Sequence, residues 1–207
     1  VAGPEEARRE AEAALEVGLR VLWVVNTVDR AQELARGFAA DPRANPLATR
    51  KGVRVLSYHS RFRLRDRRDH HAEVVAAFKR TEGQPRHAVL AITTQVCELS
   101  LDLDCDLLIT EHAPVSSLIQ RLGRCCRDQG AHEEGRMRTG RVLLYRPEAI
   151  APYKAEEMKG VPEFLGKVRG RTMSQSRLEE ELAALDGAGF LDKPARFIAD
   201  GPWASAG

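Results

Sequence analysis

Cysteine is scarce: Cys97, Cys105, Cys125 and Cys126 are the only four among 207 residues, and none forms a CxxC pair. Thiols so few and so unevenly spaced exclude a disulfide scaffold, and they fit a reducing compartment. An excess of one charge is also missing. The 32 Lys and Arg stand against 30 Asp and Glu, a net charge of +2, so no global field draws the chain to nucleic acid and any such binding must be local. Only six of the basic residues are lysine, a skew that carries no functional weight. No apolar run approaches the roughly 20 residues of a membrane span. The Glu-rich stretch from Glu5 to Glu16 is unlike a secretory signal. The expectation is a soluble, cytoplasmic chain with no membrane partner. Internal repeats and low-complexity tracts are absent. So is GxxxxGK[ST], the loop that cradles phosphates: between Gly160 and Gly166-Lys167 lie five residues instead of four, and Val168 stands where Ser or Thr would bind magnesium. No DExH or DExD box occurs either.

What the chain does have is apolar content and alternation. With 43% hydrophobic residues, 207 positions suffice for one α/β core and a modest appendage. Residues 5–18 put Ala7, Ala11, Ala14 and Leu15 on one helical face, with acidic residues early and Arg20 at the end, as the helix dipole favours. VLWVV (21–25) then feeds a helix carrying Ala31, Leu34, Ala35 and Phe38. VRVLSY (53–58) leads to a helix with Val74, Val75 and Phe78. AVLAIT (88–93), DLLIT (106–110), a helix with Val115, Leu118, Ile119 and Leu122, and RVLLY (141–145) complete the series. Five short apolar strands separated mostly by helices predict an α/β fold with a largely parallel sheet covered on both faces. Residues 41–51 and 128–140 carry the Pro, Gly and Asn of surface connections. Beyond Tyr145 the alternation stops. Pro147, Pro152, Gly160, Pro162, Gly166 and Gly170 mark an irregular linker. Ser176 with Glu179 reads as a capping box opening a helix with Leu178, Leu182 and Leu185. The expected division is a leading helix and linker over 1–20, a main domain over 21–150, and a linker with a short helical C-terminal tail over 151–207.

Open parallel sheets bind ligands beyond the carboxyl ends of their strands. The residues there are polar: Asn26-Thr27 after the first strand, His59-Ser60-Arg61 after the second, Thr94-Gln95 after the third, and Gln120, Arg121, Arg124 and Arg127 on the helix after the fourth. Any one of them alone reads equally as a cap for loop backbone groups. Their coincidence points to a shared binding edge. RFRLRDRR (61–68) adds five arginines in eight residues, either a solvated face paired with Asp66, Asp69 and Glu73 or a phosphate contact at a helix start. Asp69, His70, His71 and His59 could be read as metal ligands, but their order and the lack of companion motifs argue against it, and no metal site is expected. Cys125 and Cys126 read as packing residues.

The segment TTQVCELSLDLDCDLLITEHAPVSSLIQRLGRCCR (93–127) resembles motifs V and VI of superfamily 2 helicases. TQVxExSLD followed by DLLIT, AP and IQRxGR is similar to the CRISPR-associated nuclease-helicase family, as are NTVDRAQELA (26–35) and HSRF (59–62). The resemblance spans residues 21–146 and implies a second RecA-like motor domain. The activity it implies is ATP-driven unwinding of target DNA, with magnesium held by a first RecA-like domain that owns the missing phosphate loop. It implies arginine-finger roles for Arg124 and Arg127. Three residues apart, they are expected on adjacent turns of one helical face, and their planar forks suit a transferring γ-phosphoryl group. It places Ser100, Asp102, Gln120 and Gly123 at the nucleotide, Asp102 toward the ribose or the domain interface. Thr94 and Gln95 are implied contacts to the single strand, and Asn26, Thr27, His59, Ser60 and Arg61 join them as candidates. The implied partners are single-stranded DNA, the first RecA-like domain, an HD nuclease domain and a CRISPR surveillance complex. Alone, the chain is expected to be an inactive half-motor. The competing expectations are an RNA helicase or other superfamily 2 translocase domain, and a non-catalytic nucleic-acid-binding adaptor.

Overall fold

The computed structural model describes residues 3–39, 53–79, 87–99, 102–126, 132–133, 136–137 and 139–187. The chain divides into two compact units, Val1–His112 with Gln120–Pro152, and Ala113–Ile119 with Tyr153–Gly207.

The first unit is built on β1 (Arg20–Val24), β2 (Arg54–Tyr58), β3 (Val89–Thr93), β4 (Leu107–Glu111) and β7 (Arg141–Tyr145), ordered β2-β3-β1-β4-β7 and parallel throughout. A two-residue hairpin, β5 (His132–Glu133) with β6 (Arg136–Met137), lies between β4 and β7 in sequence. The sheet explains the apolar runs. β3 and β4 are buried at every position, as strands covered on both faces must be, whereas edge strands β2 and β7 are buried only at Tyr58 and Tyr145. Alternation along β1 sends Val21, Trp23 and Val25 to one face and Leu22 and Val24 to the other. On the first face they meet Ala7, Ala11, Ala14 and Leu15 of α1 (Pro4–Glu16) and Ala31 and Phe38 of α2 (Val28–Ala39). On the second they meet Val74 and Phe78 of α3 (Leu64–Phe78). The Trp23 indole N–H donates to the Tyr145 hydroxyl at 3.1 Å. That satisfies the polar handle of a ring whose full burial is worth about 2–3 kcal/mol or more.

Sequence reading placed Arg20 at the end of the leading helix, and the structure differs. α1 stops at Glu16, Gly18 takes a φ of 81°, and Arg20 is the first residue of β1. Glycine adopts that left-handed turn without steric cost.

The second unit contains α6 (Val161–Val168) and α7 (Gln175–Gly187). Between β3 and β4 the chain forms one turn of helix, α4 (Val96–Leu99), and after β4 comes α5 (Val115–Leu122). α6 corrects the expectation of an irregular linker: proline at its start is compatible with a helix, since the first turn needs no amide donor there, and Val161, Phe164 and Val168 are buried. The cap of α7 also lies earlier than the Ser176 box. The Arg177 amide donates to Ser174 Oγ at 3.2 Å, and Ser176 Oγ sits 2.9 Å from Ser174 Oγ. Leu178 and Leu185 are buried, and Glu181 receives Lys167 at 2.7 Å and Arg177 at 3.1 Å.

Candidate functional site

Register brings the strand ends level. Val24 of β1 pairs with Thr93 of β3 and Thr110 of β4, and Tyr58 of β2 pairs with Thr93. The residues that follow this row form one polar edge.

Its centre is Arg121, at the end of α5 and 0% exposed. A guanidinium so deeply buried must be paired and hydrogen-bonded, and this one is. Nε donates to Glu98 Oε1 at 2.8 Å, and Nη1 donates to Asn26 Oδ1 at 3.1 Å and Thr110 Oγ1 at 2.9 Å. Asn26 is consumed in turn: its Nδ2 donates to the His112 carbonyl at 2.8 Å and its amide to Glu111 Oε2 at 2.7 Å. Glu111 also receives Arg30 Nη1 at 2.7 Å. Gln95 Nε2 donates to the Asn26 carbonyl at 2.8 Å. One network thus unites the ends of β1, β3 and β4 with α5.

Arg124 lies on the rim of this network, half-buried. Its Nη2 donates to the Glu98 carbonyl at 2.6 Å, while its Nε is buried with no partner among the described residues. The geometry corrects the helical reading of the arginine motif. α5 closes at Leu122, Gly123 and Arg124 form a turn, and Cys125 pairs with Cys105 in a parallel bridge. Cys126 follows with a φ of 52°. The segment leaves the helix because the Cys105 amide takes the Arg124 carbonyl at 2.9 Å and the Cys126 amide takes the Cys105 carbonyl at 3.0 Å, so Arg124 is displayed from a turn and not from a helical face. Arg127 and Ser100 lie outside the described residues.

The remaining candidates divide. Gln120 and Asp102 are exposed, the first on α5 and the second ahead of β4. Thr94 is 2% exposed, and its carbonyl accepts the Cys97 amide at 3.2 Å. Thr27 caps α2, its Oγ1 accepting the Arg30 amide at 3.3 Å. The His59 turn lies at the end of β2. His59 is buried and stacks on Phe62 at 4.3 Å between centroids, and His70 covers Phe62 at 4.2 Å. Burial holds the His59 imidazole below its ordinary range, the Arg61 guanidinium adding to the effect. Arg61 itself pairs with Asp29, and Ser60 is exposed, its carbonyl accepting Arg67 Nη2 at 2.6 Å.

Sequence reading missed Glu98, Glu111 and Arg30, and assigned Arg121 no role. A carboxylate in VCEL and an arginine two residues before the glycine turn were visible, but nothing in spacing pairs positions 98 and 121. The thiols beneath the motif belong to the core: burial pushes Cys97 up to about 12 and Cys105 well above its usual range.

Among the described residues no helix is long and apolar enough to cross a membrane. The fold matches known proteins. The crystal structure of T. fusca Cas3-AMPPNP superposes with a TM-score of 0.72 at 24% identity, covering 91% of this chain and 23% of that one. A chain of the CRISPR RNA-guided surveillance complex, pre-nicking, gives a TM-score of 0.64 at 24% identity, with 92% and 24% covered. Both carry the same fold, so the parallel sheet is of the RecA-like kind expected. A Myxococcus xanthus relative, named for a CRISPR-associated nuclease/helicase Cas3, is 39% identical over 177 residues, 86% of this chain. The chain spans only 21% of that relative's length. The family model of the CRISPR-associated nuclease/helicase Cas3 C-terminal region matches residues 18–130, and with this match over more than half its length, the chain belongs to that family.

Proposed function

We propose that this chain is the C-terminal motor half of an ATP-dependent superfamily 2 DNA helicase, unwinding target DNA in CRISPR interference. The observation that carries the reading is the contrast between two neighbouring arginines. Arg121 spends its Nε and Nη1 donors on protein acceptors, whereas the Arg124 side chain makes one hydrogen bond among the described residues, to the Glu98 carbonyl, and leaves a buried Nε without an acceptor there. An orphaned buried donor costs about 1–3 kcal/mol, and an anion arriving from a partner domain would offset that cost. The forked guanidinium suits the equatorial oxygens of a γ-phosphoryl group.

On this reading ATP with magnesium supplies the phosphoryl group whose transfer drives the motor, and the first RecA-like domain holds the metal and the phosphate loop. Arg124 and Arg127 neutralise charge developing in transfer. Asp102, with Ser100, Gln120 and Gly123, faces the nucleotide. Thr94, Gln95 and the His59, Ser60 and Arg61 turn hold the single strand by its backbone, with Asn26 and Thr27 behind them. Residues 21–150 form the motor domain, 1–20 lead into it and 151–207 are its tail. An HD nuclease domain and a surveillance complex complete the assembly, which works in the cytoplasm.

The test is Arg124→Lys in the protein carrying the first motor domain. Charge is kept and the fork is lost, so DNA-stimulated hydrolysis is expected to fall by about 10³, with ATP and DNA affinity changed far less. Near-wild-type stimulated turnover would remove the finger assignment.

A further inference from the structure

Behind Arg124 the contacts close into a triangle. The Arg124 amide donates to the Arg121 carbonyl at 2.9 Å. Arg121 Nε donates to the Glu98 carboxylate at 2.8 Å, and Arg124 Nη2 donates to the Glu98 carbonyl at 2.6 Å. Glu98 therefore meets both arginines, one through its side chain and one through its backbone. Its carboxylate is 10% exposed and the Arg121 side chain 0%, so this ion pair is sheltered from solvent screening and its geometry is fixed by packing. Arg121 is anchored in turn to the ends of β1 and β4 through Asn26 and Thr110.

Glu98 also sits on α4, a single turn of four residues. Its amide takes the Gln95 carbonyl at 3.0 Å, and the Cys97 amide takes the Thr94 carbonyl at 3.2 Å. A turn that short has no internal joint, so a displacement of Thr94 and Gln95 moves Glu98 with it.

We infer that Glu98 and Arg121 are positioning residues: their buried ion pair sets the aim of the Arg124 guanidinium, and α4 carries the state of the Thr94-Gln95 turn to it. The inference rests on Arg124 being the finger and on Thr94 and Gln95 touching the single strand. Neither Glu98 nor Arg121 touches the reacting atoms. Their effect reaches chemistry through Arg124 alone, and a misplacement of about 1 Å can cost on the order of 10² in rate.

The experiment compares Glu98→Gln, Arg121→Lys, Arg124→Lys and the double variant Glu98→Gln/Arg124→Lys in the full-length protein. ATP turnover is measured with and without single-stranded DNA, alongside KM for ATP, Kd for a fluorescent oligonucleotide, and thermal melting. Glu98→Gln keeps an acceptor oxygen but discards the charge that orients Arg121. The expected result is a fall in DNA-stimulated kcat of about tenfold to a hundredfold for Glu98→Gln and Arg121→Lys, with KM and Kd within about threefold. Arg124→Lys and the double variant should be equally slow, because the clamp has nothing left to aim. A purely structural role would lower melting without that kinetic split or that non-additivity. Should Glu98→Gln fold poorly, Glu98→Asp keeps the charge and shortens the reach, and the same kinetic pattern is expected of it. Additive losses in the double variant, a drop in oligonucleotide affinity that matches the drop in kcat, or loss of the folded state in both Glu98 variants overturns the inference. Wild-type turnover of Glu98→Gln and Arg121→Lys beside a crippled Arg124→Lys overturns the clamp alone and leaves the finger standing. An active Arg124→Lys removes the finger and the clamp together.

Discussion

Replacing Arg121 by methionine should cost this chain a large part of its stability, irrespective of what the chain does. The side chain is fully buried, and its removal takes a partner from three groups at once. The Glu98 carboxylate, 10% exposed, loses its ion-pair partner, and Asn26 Oδ1 and Thr110 Oγ1 lose the Nη1 donor at 3.1 and 2.9 Å. Breaking a buried pair by deleting one partner costs about 3–5 kcal/mol, about a fifth or more of the roughly 5–15 kcal/mol that holds a domain folded. With a urea dependence of about 2 kcal/mol per molar, the midpoint of urea unfolding followed by circular dichroism should fall by about 1.5–2.5 M. The double variant Arg121→Met/Glu98→Leu removes both charges and leaves none stranded, so it should recover at least half of that loss. A midpoint for Arg121→Met within about 0.5 M of the wild type, or a double variant no better than the single one, would refute a buried ion pair at the centre of the polar edge.

Gly140→Ala should destabilise by about 1–3 kcal/mol, because a Cβ there would stand 2.4 Å from Cys125 Sγ; Cys125→Ala in the same background should restore melting. Tyr145 should resist ionisation in the folded chain well above its usual value of 10, since burial and the nearby Glu111 carboxylate raise it. The folded state therefore holds its proton where the unfolded state releases it, stability falls as pH rises beyond about 10, and absorbance at 295 nm in an alkaline titration should lag until the fold is lost. His59 runs the other way. Its depressed imidazole stays neutral in the fold while the unfolded chain takes up a proton below its ordinary value of 6.5, so its share of stability is present above that pH and lost as pH falls, an effect His59→Gln should abolish in melts at pH 5 and pH 8. Cys97, raised to about 12 by burial, should escape iodoacetamide at pH 8 in the folded chain and react after denaturation, as peptide mass spectrometry would show.

The sheet was legible because period and burial coincide in it. VLWVV, AVLAIT and DLLIT are continuous apolar runs, which only a strand with both faces covered needs, and the helices between them kept their apolar residues at helical spacing. α6 was hidden by punctuation. Pro162 and Gly166 read as breakers, yet the proline falls in the first turn, and three buried apolar residues, Val161, Phe164 and Val168, hold the rest. The helical reading of Arg124 failed for a tertiary reason. QRLGRCCR has no local signal to stop at Leu122 other than Gly123, and what takes the chain out of the helix is pairing of Cys125 with Cys105, twenty residues earlier in sequence.

The same logic separates the arginines of one short motif. Local sequence presents Arg121 and Arg124 as equivalent, each a guanidinium beside the glycine turn. Their difference comes from partners that lie far off in the chain: Glu98 is 23 residues from Arg121, and Asn26 is 95 away. An arginine whose Nε and Nη1 donors meet protein acceptors in a sealed site contributes by holding other groups still. One whose guanidinium has a single carbonyl partner and a buried Nε with no acceptor among the described residues carries a demand that an incoming acceptor would relieve. In this family member the fixed arginine stands directly behind the unsatisfied one, joined to it through Glu98. On the proposed reading, rigid support behind an incompletely satisfied charge is the arrangement that preorganised electrostatic catalysis requires, because the group would already be aimed when a partner domain delivered the charge to be stabilised.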